Sequence, residues 1–403
     1  MRTVLHIDFD SFFASCEQQF NPNFRGKPLG ITATNGRTCI IASSCQAKRL
    51  GIKTGCRTYE AKKICPDIVF APADFVKYLA ISKKFLNICK DYSPFVELFS
   101  IDEVFIDATL TIHLFDNTCR LIEKIKNRIK NEIGEYITVS VGVSHNKLLA
   151  KMASSINKPN GMAEIRFNDI DNVYSQAQLT DVCGIGQRIK SRLNKIGIYN
   201  LMQLRKTSIL TLIEEFGKIE ARFLKNVGLL IDESPVIPYT NPPSVKSVGR
   251  NYCLPKNECD KRIILQNVYE LCEEIAIKLR RLNKKARTVG ITLRGNINIG
   301  GRKTYKNYFD SGKEIFDLCQ QLFNINNLGY ARQISVWAAN LEDKENIPLS
   351  LFDSLGKNEK LASAIDSINQ RFGDHTIRNG FLLYANKLTT VPNGYMADKY
   401  YYL

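Results

Sequence analysis

The segment Val4-Leu5-His6-Ile7-Asp8-Phe9 is apolar and β-branched enough to form a core strand, yet it carries a carboxylate next to its end. Strand alternation puts Leu5, Ile7 and Phe9 on one face and His6, Asp8 and Asp10 on the other. A carboxylate in a core strand is costly unless it is paired or bound to a cation, so Asp8 needs a partner. A second such place lies in residues 95–107, where two apolar runs flank a short polar turn. It reads as a hairpin carrying Asp102 and Glu103. Three carboxylates on two short apolar segments can converge on divalent cations, because Mg2+ favours oxygen ligands and is held by one or two carboxylates plus substrate phosphates. Two such ions about 3.5 to 4 Å apart activate a hydroxyl and stabilise the leaving oxygen of an in-line phosphoryl displacement. Taken singly, each of these acids reads more readily as a turn or cap residue, and an Asp-x-Asp pair is weak evidence alone.

Charge supplies an independent clue. The chain carries 56 Lys and Arg against 40 Asp and Glu, a net charge of +16 over 403 residues. Residues 1–166 hold 23 basic and 16 acidic side chains (+7), 167–233 hold 9 and 8 (+1), 244–340 hold 17 and 8 (+9), and 341–403 hold 7 and 8 (−1). Two basic segments around a neutral one suit two surfaces gripping one polyanion, although a solvated basic surface would give the same counts. Residues 234–243 contain Pro235, Pro238, Pro242 and Pro243 and no charge, the pattern of an extended linker. The sequence turns acidic after Asn340. No run approaches the ~18 apolar residues of a membrane span, and the N-terminus lacks signal-peptide order, so a cytoplasmic protein without membrane contact is expected. The 12 cysteines are scattered without a Cys-x-x-Cys pair and read as reduced thiols; His6, His113, His145 and His375 are too dispersed for a zinc site.

Four blocks then occur in order: His6-Ile7-Asp8-Phe9-Asp10-Ser11-Phe12-Phe13-Ala14-Ser15-Cys16-Glu17, Ser100-Ile101-Asp102-Glu103-Val104, Gly142-Val143-Ser144-His145-Asn146-Lys147-Leu148-Leu149-Ala150-Lys151, and Lys158-Pro159-Asn160-Gly161. In content, order and spacing they closely resemble the Y-family, or lesion-bypass, DNA polymerases, over residues 1–340 and nearest to the bacterial UmuC-like branch. The resemblance implies an α/β multidomain, right-handed polymerase: a palm over 1–166 with fingers inserted at about 20–75, a helical thumb over 167–233, the linker at 234–243, an α+β little finger over 244–340, and a tail over 341–403. It implies template-directed addition of deoxynucleotides to a primer end, at low fidelity and without proofreading, in translesion synthesis and damage tolerance.

By match to the motifs, Asp8 and Asp102 would ligate two Mg2+ ions, for which Mn2+ can substitute. The backbone carbonyl of Phe9 would complete one shell, and Glu103 would help hold the ion at the primer 3′ hydroxyl. Phe13 matches the steric gate against ribonucleotides, and Phe12 beside it combines nucleotide contact with core packing. In the fingers, the Tyr and Arg of many members are Cys45 and Lys48 here; Lys48 keeps a point charge for phosphate but not the guanidinium fork. Lys158 is the other expected triphosphate ligand.

Gly184-Ile185-Gly186 precedes a helical pattern over 187–196 and resembles a helix-hairpin-helix, in which backbone N–H groups approach a phosphate without reading sequence. The little-finger segment carries a basic run, Lys278 to Arg287, and strand patterns over 288–294 and 334–338; Arg250, Arg294 and Arg332 are its expected phosphate contacts. Ile347-Pro348-Leu349-Ser350-Leu351-Phe352 resembles the sliding-clamp peptide, with Pro348 at the usual Gln position and Leu349, Leu351 and Phe352 as apolar anchors. Primer–template DNA, deoxynucleoside triphosphates and a sliding clamp are thus the expected partners of a monomer. Two readings compete: a catalytically silent polymerase-like scaffold, which has little need of three carboxylates, and a two-metal nuclease, which has no use for a Phe13 gate.

Overall fold

The structure is a computed structural model describing residues 2–33, 39–348, 355–373, 376–383 and 385. The chain divides into two compact units between Pro242 and Pro243.

In the first unit, β1 (Val4–Phe9) runs into α1 (Phe12–Phe20), and β2 (Leu29–Thr32), β3 (Ile40–Ser43), α2 (Cys45–Arg49), α3 (Thr58–Ile64) and β4 (Val69–Pro72) follow. Next come α4 (Phe75–Lys90), β5 (Val96–Leu98), β6 (Glu103–Asp107), α5 (Thr118–Glu132), β7 (Val139–Ser144), α6 (Lys147–Ile156) and β8 (Met162–Glu164). A five-stranded sheet of order β5-β6-β1-β7-β8 puts β1 at its centre, antiparallel to both neighbours. The alternation read in β1 is realised. Leu5, Ile7 and Phe9 sink into the main core with Phe85, Ile88, Leu121 and Ile125 of α4 and α5, while Val4 and His6 face α6, through Ala150 and Ser154. A separate small sheet, β3-β2-β4, has its own core of Ile40, Ala47, Ile52, Ala61 and Ile68.

Five short helices complete this unit: α7 (Ile170–Gln176), α8 (Gln187–Lys195), α9 (Leu201–Lys206), α10 (Ile209–Phe216) and α11 (Lys218–Leu229). Their core is shared with Leu149, Met152 and Ala153, so α6 serves two layers at once. Residues 234–242 are not a free tether. Val236 is buried, Ile237 donates its N–H to Glu97 (2.8 Å), and Tyr239 donates its own to the Val96 carbonyl (2.8 Å), so this uncharged, apolar stretch docks along β5.

The second unit holds β9 (Ser247–Glu258), α12 (Lys261–Arg281), β10 (Lys284–Gly295), β11 (Asn298–Phe309), α13 (Gly312–Gln320), β12 (Ala331–Asp343) and α14 (Leu355–Phe372). Its antiparallel sheet, β11-β10-β12-β9, buries Val289, Ile291, Leu293, Ile334 and Val336 against α12 and α13. The basic run from Lys278 to Arg287 spans two elements. The helix ends at Arg281, Asn283 turns the chain at φ 53°, and Lys284 already belongs to β10. Lys278 is buried, Arg280 forms a two-pronged pair with Asp366 (2.6 and 2.7 Å), and Lys285 pairs with Glu359 (2.6 Å). The tail therefore folds back on this unit, with Leu382 in its core and the Phe381 ring beside Tyr269 and Phe316. No described helix is long and apolar enough to cross a membrane.

Candidate active site

Strand register brings the carboxylates together. Asp8 lies opposite Glu103 across β1 and β6, and the Phe9 N–H bonds the Asp102 carbonyl (3.0 Å), so the hairpin turn lies at the end of β1. A cavity of about 600 Å³ opens there. Its wall includes Asp8, Phe9, Phe12, Phe13 and Asp102 from the large sheet and α1, Lys48 from α2, and Lys158 from the loop before β8. Sequence reasoning missed Arg49 and Thr54, which also line it; the adjacent Lys48-Arg49 pair was the available signal.

The three acids have different surroundings. Asp8 is capped by the Lys158 ammonium, itself held below its usual range by burial. Burial lifts the Asp102 carboxyl above the ordinary range, partly opposed by the Ser100 hydroxyl that donates to it. Glu103 is different. Burial alone would raise it, but the His6 ring and the Lys151 ammonium outweigh that and hold it at about 2. Burial pushes His6 down to about 4, so at neutral pH its uncharged ring donates from Nε2 to Glu103 (2.8 Å), with Nδ1 2.8 Å from Ser154 Oγ. Glu103 is thus turned towards α6 and is absent from the cavity wall. Among the described residues, no group of three His, Cys, Asp or Glu is drawn together as metal ligands; Lys158 pairs with Asp8 and Lys151 with Glu103.

The aromatic floor follows from α1. Phe12 is buried and stacks on Phe9 (4.7 Å between centroids, 8° between planes), whereas Phe13 stacks on Tyr78 (4.4 Å, 12°) and meets Phe75 edge-on. Tyr78 is fixed in turn by its hydroxyl, which donates to Glu17 (2.8 Å). Cys45 stands at the start of α2 with its thiol 3.5 Å from Ser11 Oγ.

The residues expected to hold DNA fall differently. Gly184 has φ +98°, and a Cβ there would come within 2.5 Å of the Phe223 ring; Gly186 caps α8 in open space. Ile185 does not fit its expected role. Its side chain is buried and its N–H bonds the Val182 carbonyl (3.1 Å), so it holds the hairpin and offers no donor. In the second unit Arg294 is exposed. Arg250 is on the helix-packed side of the sheet, paired with Glu274 (3.0 Å), and Arg332 donates to the Leu254 carbonyl; both guanidiniums are engaged within the unit. Leu349, Leu351 and Phe352 lie outside the described residues.

Residues 7–155 match the impB/mucB/samB family and residues 245–351 match that family's C-terminal domain. The chain is 32% identical over 380 residues to DNA polymerase IV of Pelotomaculum thermopropionicum, spanning 93% of this chain and 94% of that protein. It is 31% identical over 388 residues to DNA polymerase IV of Moorella thermoacetica, spanning 94% and 96%. Among solved structures, a Y-family DNA polymerase chimera of Dbh and Dpo4 superposes with a TM-score of 0.74 at 29% identity, spanning 85% of this chain and 99% of that one. These relatives carry the name DNA polymerase IV, not a UmuC name. With matches to both halves of the family and relatives aligned over nearly their whole length, the chain belongs to the Y-family of translesion DNA polymerases.

Proposed function

We propose that this protein extends a primer on a DNA template by metal-assisted phosphoryl transfer, with Asp8, Asp102 and Glu103 as its acidic centre. The observation that carries the reading is the cavity whose wall combines Asp8, Asp102, Phe13, Lys48 and Lys158. Y-family polymerases use divalent metal ions, and the residues fit a hard cation: the donors are carboxylate oxygens and the Phe9 carbonyl, and two of the acids already attract lysine ammoniums. Two Mg2+ ions, or Mn2+ in their place, would supply activation of the primer hydroxyl and neutralisation of charge on the triphosphate. The chain's own part is positioning and electrostatics. Asp8 and Asp102 present oxygen ligands at the cavity, Glu103 stands opposite Asp8 on the next strand, and Lys48 and Lys158 receive phosphate oxygens. Phe13 closes the sugar side against a 2′ hydroxyl, with Phe12 beneath it.

Low fidelity without proofreading belongs to the same reading, on the strength of the family resemblance. Gly184, Gly186 and Arg294 are the proposed phosphate contacts, and a monomeric, cytoplasmic enzyme belongs to the same reading. A sliding clamp is the proposed protein partner, through Leu349, Leu351 and Phe352, on sequence grounds. Primer extension tests the whole. The purified protein with Mg2+ should add nucleotides to a primed template, and Asp102→Ala should reduce the rate by ~10³-fold or more while leaving DNA affinity within about threefold. Absence of addition on several templates with either Mg2+ or Mn2+ would refute it.

A further inference from the structure

Asp10 belongs to the same Asp-x-Asp as Asp8 and lines the same cavity, yet the proposed chemistry gives it no task. It is 4% exposed, and both of its oxygens are committed. Oδ1 accepts the Ser140 hydroxyl (2.7 Å); Oδ2 accepts the Thr138 hydroxyl (2.8 Å) and the backbone N–H of Asn160 (2.7 Å). One buried carboxylate thus joins the end of β1, the start of β7 and the loop Lys158-Pro159-Asn160-Gly161. With three donors already on it, Asp10 has little left to offer a cation, which separates its duty from that of Asp8.

The loop it grips is tightly built. Asn160 takes the left-handed conformation at φ +55°, and Gly161 approaches so closely that a Cβ would lie 1.7 Å from the Asn157 carbonyl oxygen. On the far side, Lys126 of α5 donates to the carbonyls of Asn160 (2.6 Å) and Gly161 (3.0 Å). A non-glycine residue at positive φ persists only where its surroundings over-determine it, and here an anion on its N–H and a cation on its C=O do so from opposite sides. Two residues before this clamp, Lys158 projects its ammonium onto Asp8.

We infer that Asp10 is a positioning residue for the incoming nucleotide: by holding the Asn160 N–H it fixes the loop from which Lys158 meets the triphosphate, and Lys126 holds the other end of that loop. The inference rests on the reading of Lys158 as a triphosphate ligand. Asp10→Ala releases the loop. Asp10→Asn keeps it, because the amide oxygen can accept the Asn160 N–H while the Ser140 hydroxyl turns to accept from the amide nitrogen.

The experiment is steady-state incorporation of a single deoxynucleotide into a saturating primer–template by the full chain, with KM and kcat read separately. Asp10→Ala is expected to raise the nucleotide KM by ~10-fold with kcat within about threefold, and Asp10→Asn to restore most of it. Lys126→Met, on a partly exposed helix face, should raise KM in the same direction without disturbing the strand, and its KM decides the outcome if Asp10→Ala does not fold. In a Lys158→Gln background, Asp10→Ala should add less than about twofold, because the two act through one contact. An Asp10→Ala that lowers kcat at unchanged KM, a full KM penalty retained on top of Lys158→Gln, or an unchanged KM in Lys126→Met where Asp10→Ala is unfolded overturns the inference. Lys158→Gln with a wild-type KM instead removes the triphosphate role of Lys158, and the inference with it, while primer extension itself would still stand.

Discussion

Phe13 gains its rigidity from a neighbour that no motif names. Its ring lies on Tyr78, whose hydroxyl donates to Glu17, so both faces of this contact are packed; under the proposed gate role that packing holds the ring against a larger sugar. Phe13→Ala is therefore expected to raise ribonucleotide incorporation relative to deoxynucleotide on the order of 100-fold, about 3 kcal/mol of discrimination, measured as the ratio of kcat/KM values; an unchanged ratio would remove it from the gate. His6 gives a prediction in pH. Burial holds it at about 4 against an ordinary 6.5. Between those values the unfolded chain binds a proton that the folded chain does not, so this residue's contribution to stability is full above pH 6.5 and is lost as the pH falls towards 4. Thermal melting of the metal-free protein should fall between about pH 7 and 5, and His6→Phe should flatten that slope; equal slopes in both proteins would contradict the assignment. The identity of the three acids was legible because carboxylates in apolar strands are conspicuous. Their lysine partners were not, since Lys151 and Lys158 lie 48 and 150 residues away from the acids they meet.

At the scale of elements, glycine and short loops decide what is presented. Gly184 is required twice over, by a positive φ and by the Phe223 ring above it. Gly184→Ala should destabilise the α7–α11 layer by about 1–3 kcal/mol and weaken primer–template binding, with kcat at saturating DNA largely retained; fluorescence anisotropy against turnover separates the two. The helical pattern over 187–196 matches α8, because helical periodicity is local. Periodicity could not tell that Ile185 points inwards. That depends on Leu149 and Met152 of α6 sharing the same core, a contact between segments about 35 residues apart. The fate of the basic run at 278–287 was hidden for the same reason. Two of its cations, Arg280 and Lys285, are answered by Asp366 and Glu359, acids from a tail that composition alone set apart as a separate −1 segment.

For the molecule as a whole, the net charge of +16 predicts strongly salt-dependent DNA binding. The plot of log affinity against log salt should be steep, and Arg294→Ala, exposed on its sheet, should reduce the slope by ~1, whereas a slope unchanged from wild type would exclude it as a phosphate contact. Arg250 and Arg332 are expected phosphate contacts of the segment that resembles the little finger, but each is engaged inside its own unit, with Glu274 or the Leu254 carbonyl, which a charge count cannot detect. The sequence by itself determined the family, the alternating faces of β1 and the hairpin that carries Asp102 and Glu103, because these depend on period, composition and short motifs. Only the tertiary structure decided which charges are free. It turned Glu103 towards His6 and Lys151, closed Lys158 onto Asp8, and gave Asp10 a backbone N–H to hold in place of a cation. The physical reason is that a charge is specified by its surroundings, and these surroundings are assembled from strands, helices and loops far apart in the chain.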